Sequence, residues 1–127
     1  MKLRIKGAAL RLRLTRSEIE ALAQHGLVEE RVPFAANASL IYRLWCDPAA
    51  REISAAFRDG VIEVRIPPDA ARQWCGSDLV TLAREQPLPQ GALQITLEKD
   101  FACLTPRAGE DESDNFPHPQ AQSGKTC

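Results

Sequence analysis

The first sixteen residues carry six cations, Lys2, Arg4, Lys6, Arg11, Arg13 and Arg16, and the first carboxylate comes only at Glu18. Alternate residues of a strand share a face, so Arg4, Lys6, Arg11 and Arg13 on a hairpin make a compact positive patch suited to phosphate contacts. With Arg16 beside them and Arg65 in the corresponding place of the second half, these six are the candidate nucleic-acid or phosphate-binding residues. The competing reading is a solvated outer face that keeps the strands soluble and apart. No aromatic residue interleaves with the cations, and Glu63 stands where the second half would repeat Arg11.

The same residues permit a different chemistry if eight strands close into a barrel with the charged face inward. Arg11, Arg13, Glu63 and Arg65 would then line a polyphosphate tunnel like that of CYTH-type triphosphatases. Such enzymes hold divalent metals with several carboxylates, usually in an E-x-E-x-K strand, whereas this chain offers Glu63-Val64-Arg65. Other catalysis is thinly supplied. His25 and His118 have no neighbouring nucleophile, and there is neither a G-x-S-x-G turn nor a phosphate-cradling glycine loop. Cys46, Cys75, Cys103 and Cys127 form no C-x-x-C pair, and Cys103 with His118 makes two ligands where a metal needs more. Cys46 and Cys75 read as small apolar residues in or near the core. Trp45 and Trp74, each in an apolar run, read as core anchors. No catalytic residue, metal site or cofactor is expected.

The elements that must position these residues are legible from periodicity. Leu3 and Ile5, then Leu10, Leu12 and Leu14, alternate with cations on either side of Lys6-Gly7-Ala8-Ala9, the pattern of a hairpin. Ser17, with Glu20 three residues on, predicts a capped helix carrying Ile19, Leu22 and Ala23 and ending at Gly26. Leu27–Val32 and Leu40–Cys46 follow as strands. The order then restarts: a hairpin over Ile53–Phe57 and Val61–Ile66 about Asp59-Gly60, a helix opened by Pro67-Pro68-Asp69, and strands at Leu79–Ala83 and Ala92–Leu97. Laying one half on the other puts Leu3 on Ala55, Leu10 on Ile62, Leu12 on Val64, Leu14 on Ile66, Ser17 on Asp69 and Leu22 on Trp74. Leu27-Val28 falls on the identical Leu79-Val80, and after one inserted residue Leu44 falls on Leu97 and Asp47 on Asp100. The expected fold is mainly β with two short helices (α+β). Two ββαββ units, 3–47 and 55–100, form one pseudo-symmetric barrel-like domain over residues 1–104.

The net charge of -1, with 44% apolar and 26% charged residues, fits an ordinary soluble domain and gives no global attraction to nucleic acid or anionic membrane. Cations interrupt every apolar run near the N-terminus, so neither a secretory segment nor a membrane span is expected, and cytoplasm is the default. Residues 105–127 are polar and proline-bearing, which predicts a flexible acidic tail docked, if anywhere, through Phe116. Its Glu110, Asp111, Glu112 and Asp114 are opposite in charge to the N-terminal cluster, which a tethered tail would mask.

Two resemblances follow from these motifs. Within one half, Lys6 to Leu14 followed by a capped helix resembles the K-x-G-N-S-x-x-x-R-I-P-x-x-L opening of the swapped-hairpin AbrB and MazE families, and Gly60–Asp69 (GVIEVRIPPD) is closer to it. That resemblance implies a DNA-binding dimer of such units, hence here a pseudo-dimeric monomer like MraZ-type tandem proteins. The whole chain resembles a family of small bacterial proteins of unknown function. Its Met1-Lys2-Leu3-Arg4-Ile5-Lys6-Gly7 start carries the likeness, as do Leu97-Glu98-Lys99-Asp100-Phe101-Ala102-Cys103-Leu104 and Glu110-Asp111-Glu112-Ser113-Asp114-Asn115-Phe116-Pro117. The expected function is a non-enzymatic binding module of AbrB-like type, its partner DNA or another protein. The alternatives are a tunnel phosphohydrolase acting on triphosphate or polyphosphate and a protein–protein interaction domain.

Overall fold

The computed structural model of the chain describes residues 1–101 and 114–116. Strands β1 (Lys2–Ile5) and β2 (Ala9–Leu14) pair antiparallel, with Leu3 opposite Leu12 and Ile5 opposite Leu10 on one face. Lys2 opposite Arg13 and Arg4 opposite Arg11 occupy the other. Helix α1 (Arg16–His25) is capped at Thr15, whose backbone N–H donates to Glu18 Oε1 at 2.9 Å. The capping box therefore sits two residues before the expected Ser17 and Glu20, because the strand runs extended through Leu14 into Thr15 and leaves Ser17 inside the first turn. Gly26 ends the helix at φ 74°, a conformation that only glycine adopts without cost.

Strands β3 (Leu27–Ala35) and β4 (Ala38–Cys46) form a longer hairpin than periodicity indicates. A register shift at Pro33 lets the pairing continue to Ala35 opposite Ala38. Strands β5 (Ser54–Arg58) and β6 (Val61–Ile66) meet at the expected two-residue turn, with Asp59 at φ 52° and Gly60 at φ 75°. Helix α2 (Pro68–Cys75) starts with proline in its first position after Pro67, so Asp69 lies in the first turn rather than at the cap. Strands β7 (Thr81–Pro87) and β8 (Ala92–Lys99) complete the chain order.

Two four-stranded sheets result, β1-β2-β8-β7 and β3-β4-β6-β5. Each combines a hairpin from one half with a hairpin from the other, joined by parallel pairs β2–β8 and β4–β6. The same bonds recur in both halves. Asp100 N–H donates to Leu14 O at 2.8 Å as Asp47 N–H does to Ile66 O at 3.1 Å, and Gln94 N–H to Ala8 O as Ile41 N–H to Gly60 O, both at 2.9 Å. These pairs identify the duplication as two interleaved ββαββ units related by a pseudo-twofold axis. They also correct one equivalence. Val28 pairs with Leu44 and Leu82 with Leu97, so Val28 corresponds to Leu82, and the identical Leu79-Val80 lies in extra chain between α2 and β7.

Inward side chains from both sheets and both helices make one core: Leu12, Leu14, Leu44, Val64, Ile66, Ile95 and Leu97 from strands, Ile19, Leu22, Ala71 and Trp74 from helices. Trp74 is fully buried, and its indole N–H donates to Val80 O at 3.0 Å. Side chains, not ladders, tie the sheets along their edges. Gln86 on β7 accepts from Ala55 N–H at 2.7 Å and donates to Ala55 O at 3.0 Å, imitating a strand neighbour, and Arg84 donates to Ile53 O at 2.6 Å. On the opposite edge the Tyr42 hydroxyl donates to Met1 O at 2.8 Å. Burial, then the Glu30 and Glu18 carboxylates, push that phenol up, so it remains a donor.

Because each half leaves its central strand edges to be paired by the other, two peptides cut in the 48–52 linker are expected to be unfolded singly and to regain strand signal on mixing, read by far-UV circular dichroism. A half that melts cooperatively alone would contradict the interleaving. Gln86→Leu is expected to lose about 1–3 kcal/mol in urea denaturation, since both Ala55 groups lose their partner.

Candidate functional site

The six candidate cations are not brought together. Arg4, Arg11 and Arg13 stand on the outer face of the first sheet, and Lys6 lies in the β1–β2 turn. Arg16 is on α1, and Arg65 is on the outer face of the second sheet. Carboxylates neutralise much of the first face: Arg13 Nε is 2.9 Å and Arg11 3.7 Å from Glu98, and Lys2 Nζ is 3.1 Å from the buried Asp100. Arg65 Nε donates to Glu63 at 2.8 Å, its Nη1 lies 3.7 Å from Asp47, and its guanidinium stacks on Trp45 with 5.5 Å to the ring centre. Hydrogen bonding to Glu63 raises the Arg65 pKa further, so this cation is committed to its neighbours. Arg4 and Lys6 have no carboxylate within ion-pair distance among the described residues.

The tunnel arrangement is overturned. Arg11, Arg13, Glu63 and Arg65 all point outward, while Leu12, Leu14, Val64 and Ile66, alternating with them, fill the interior at 1% exposure or less. Burying four charges where these aliphatic chains sit would cost several kcal/mol per ion. Trp45 is corrected too: it shares the outward phase of Arg43 and Arg65, and Trp74 alone anchors the core. Cys46 and Cys75 are half-buried beside a cleft of about 600 Å³ between the helices. Burial pushes the Cys75 thiol up, which keeps it protonated and weakly reactive. Among the described residues no three His, Cys, Asp or Glu side chains group as metal ligands, and no helix is long and apolar enough to cross a membrane.

One piece of the acidic segment is placed. Phe116 N–H donates to Asp100 O at 2.9 Å, and the Phe116 ring packs 5.5 Å from Phe101 and lies under Lys99 and Arg16. Asp114 O accepts from Arg16 N–H at 3.0 Å, and Asp114 Oδ2 accepts from the Ser17 hydroxyl at 2.5 Å. The expected Phe116 contact is thus present, and of the basic cluster this segment reaches Arg16. Cys103, His118, Cys127, Glu110, Asp111, Glu112 and the rest of the expected flexible tail lie outside the described residues.

The feature that sequence reasoning missed is at the other end of the molecule. The parallel pairing brings all four hairpin turns to the end opposite the helices. There the inward faces of the two sheets emerge into solvent as an apolar mouth of about 360 Å³, lined by Ile5, Leu10, Leu40, Phe57, Ile62 and Leu93 with Ala55 and Ala56. Its walls are pseudo-symmetric pairs, Ile5 with Phe57, Leu10 with Ile62 and Leu40 with Leu93, so the mouth lies on the pseudo-twofold axis. Phe57 is 70% and Ile5 56% exposed, and Phe34 and Leu88, at equivalent places on the β3–β4 and β7–β8 hairpins, are 72% and 41% exposed. Exposed large apolar side chains gathered in one patch mark an interaction surface. The available signal was the inward phase running to the strand ends at Ile5, Phe34 and Phe57 with no polar residue to close it.

The family model described as "Family of unknown function (DUF7009)" matches residues 1–120, and the chain belongs to that family. No curated protein and no solved structure matches it.

Hydrogen bonds from Ser17 and then Thr15, with the Ser17 amide and nearby Arg16, hold the Asp114 carboxyl below the usual carboxylate range. A depressed folded-state pKa gives stabilisation that is complete above the unfolded value near ~3.9 and is lost as pH falls through the folded value. The Ser17 amide resonance is therefore expected to titrate with a midpoint below about 3.9, and Asp114→Asn is expected to abolish that titration. A midpoint at or above the free carboxylate value would show that the contact gives no stabilisation.

Proposed function

We propose that this member of the family is a non-enzymatic binding module whose contact surface is the apolar mouth and whose partner is another protein. The observation that carries the reading is the pair Ile5 and Phe57, large and exposed, in the wall of one apolar opening at the turn end, with Phe34 and Leu88 exposed on the other two hairpins. Aromatic and aliphatic anchors at the centre of a patch supply most of the energy of protein association, and the two sheets hold them without a disorder penalty. The interleaved hairpins support kinship with the swapped-hairpin AbrB and MazE fold, and the duplication supplies in one chain the twofold arrangement that those proteins build as dimers.

A second reading, DNA contact through the first sheet's outer face, is favoured by Arg4 and Lys6, whose charges have no ion-pair partner among the described residues. It is weakened by Glu98 and Asp100, which take up Lys2, Arg11 and Arg13 on the same face. The two readings separate by photocrosslinking in the protein's own cells. A benzoylphenylalanine at position 57 is expected to give a discrete protein adduct, and one at position 13 is not. Adducts confined to position 13, together with a salt-dependent duplex-DNA mobility shift abolished by Arg4→Ala with Lys6→Ala, would replace the first reading with the second.

A further inference from the structure

We infer that the mouth receives an acidic segment of a partner protein, one that offers an apolar anchor flanked by carboxylates; this rests on the mouth being the contact surface. The exposed wall pair Ile5 and Phe57 is followed directly by a cation in each half: Lys6 after Ile5, and Arg58 after Phe57. Lys6 and Arg58 are exposed and occupy equivalent places beside the β1–β2 and β5–β6 turns, each one residue beyond the wall; Arg58 also borders the outer-face hollow that Arg43, Glu63 and Arg65 line. Neither has a carboxylate within ion-pair distance among the described residues, whereas cations further down both sheets are paired. The four turns carry one carboxylate, Asp59, next to Arg58. An apolar centre with an unneutralised cationic rim is complementary to an apolar anchor with acidic flanks, because rim charges choose the partner and the centre supplies the affinity.

The alternative occupants fit less well. A small apolar molecule in a protein site has about 70–90% of its surface buried. Here the wall residues Phe57 and Ile5 are themselves 70% and 56% exposed, so a small ligand would keep much of its surface in water. A second copy docked mouth to mouth along the axis would bring Lys6 and Arg58 of one chain against those of the other, and like charges facing each other oppose that contact.

The test is selection of a phage-displayed random dodecapeptide library on the full chain. Wild type is expected to enrich peptides with Phe, Leu or Ile beside Asp or Glu. Binding of a selected peptide should fall at least tenfold in Phe57→Ser, and about tenfold in the double variant Lys6→Glu with Arg58→Glu. That double variant, used as bait, should instead enrich apolar residues flanked by Lys or Arg. The residues changed are exposed, so unchanged thermal melting certifies that each variant is folded. Peptides that need Phe57 but show no acidic preference would overturn the acidic partner and leave the mouth as contact surface. Peptides whose binding ignores Phe57→Ser would overturn the mouth itself. A wild-type dimer by light scattering, absent in Phe57→Ser, would replace the acidic partner with a second copy.

Discussion

The parallel junctions β2–β8 and β4–β6 are what the rest of the molecule depends on. An isolated two-stranded hairpin is marginal in water, and each half of this chain supplies only hairpins and a short helix. At the junctions Leu12 sits beside Leu97 and Leu44 beside Val64, all at 1% exposure or less, so the pairing of backbones between halves is also the closing of the core. Cutting any one of these leucines down to Ala would cost about 2–5 kcal/mol, a large share of a small domain's stability. The junction joining β2 to β8 spans most of the chain, and contacts so distant in sequence make folding slow relative to local structure.

The same junctions give the molecule two unlike ends. Running β2 parallel to β8 and β4 parallel to β6 sends every hairpin turn one way and both helices the other. At the helical end Ile19, Leu22, Ala71 and Trp74 cover the inward faces, and Lys99 donates to Ser77 O at 2.7 Å, satisfying a carbonyl just beyond α2. At the turn end no element among the described residues lies across the sheets, and there the inward phase runs out at the exposed Ile5, Phe34 and Phe57. The apolar mouth is therefore a consequence of topology before it is a property of any one residue.

The duplication has kept its interior and changed its exterior. Inward positions remain aliphatic or aromatic in both halves, as with Leu12 and Val64, or Leu22 and Trp74. Outward and edge positions have reversed charge or lost it: Arg11 corresponds to Glu63, Glu30 to Arg84, and Glu98 to Trp45. Each sheet thus pairs its cations in its own way, Arg13 with Glu98 on one and Arg65 with Glu63 on the other. Asp47 and Asp100 persist as a buried pair at equivalent corners, next to Arg65 and Arg13 respectively. Packing tolerates few changes in volume or polarity, whereas surface ion pairs contribute little and are free to diverge.

By itself the sequence determined the eight strands, the two helices, the phase of the Leu12–Leu14 and Val64–Ile66 faces, and the Asp59-Gly60 turn. Strand alternation, glycine at positive φ and proline at a helix start are local constraints that act within a few residues. Even there it put the cap at Ser17 with Glu20, where the structure has Thr15 with Glu18, and it set Leu27-Val28 on the wrong partner because identity outweighed a short insertion. Only the tertiary structure decided which hairpin pairs with which, that Arg65 and Arg13 lie on different sheets, that Trp45 faces out, and that Phe57 and Ile5 share an open mouth. Backbone ladders bond any strand to any other of compatible phase, so the choice of partner rests on how all the inward faces close together, a condition that no local stretch of residues contains.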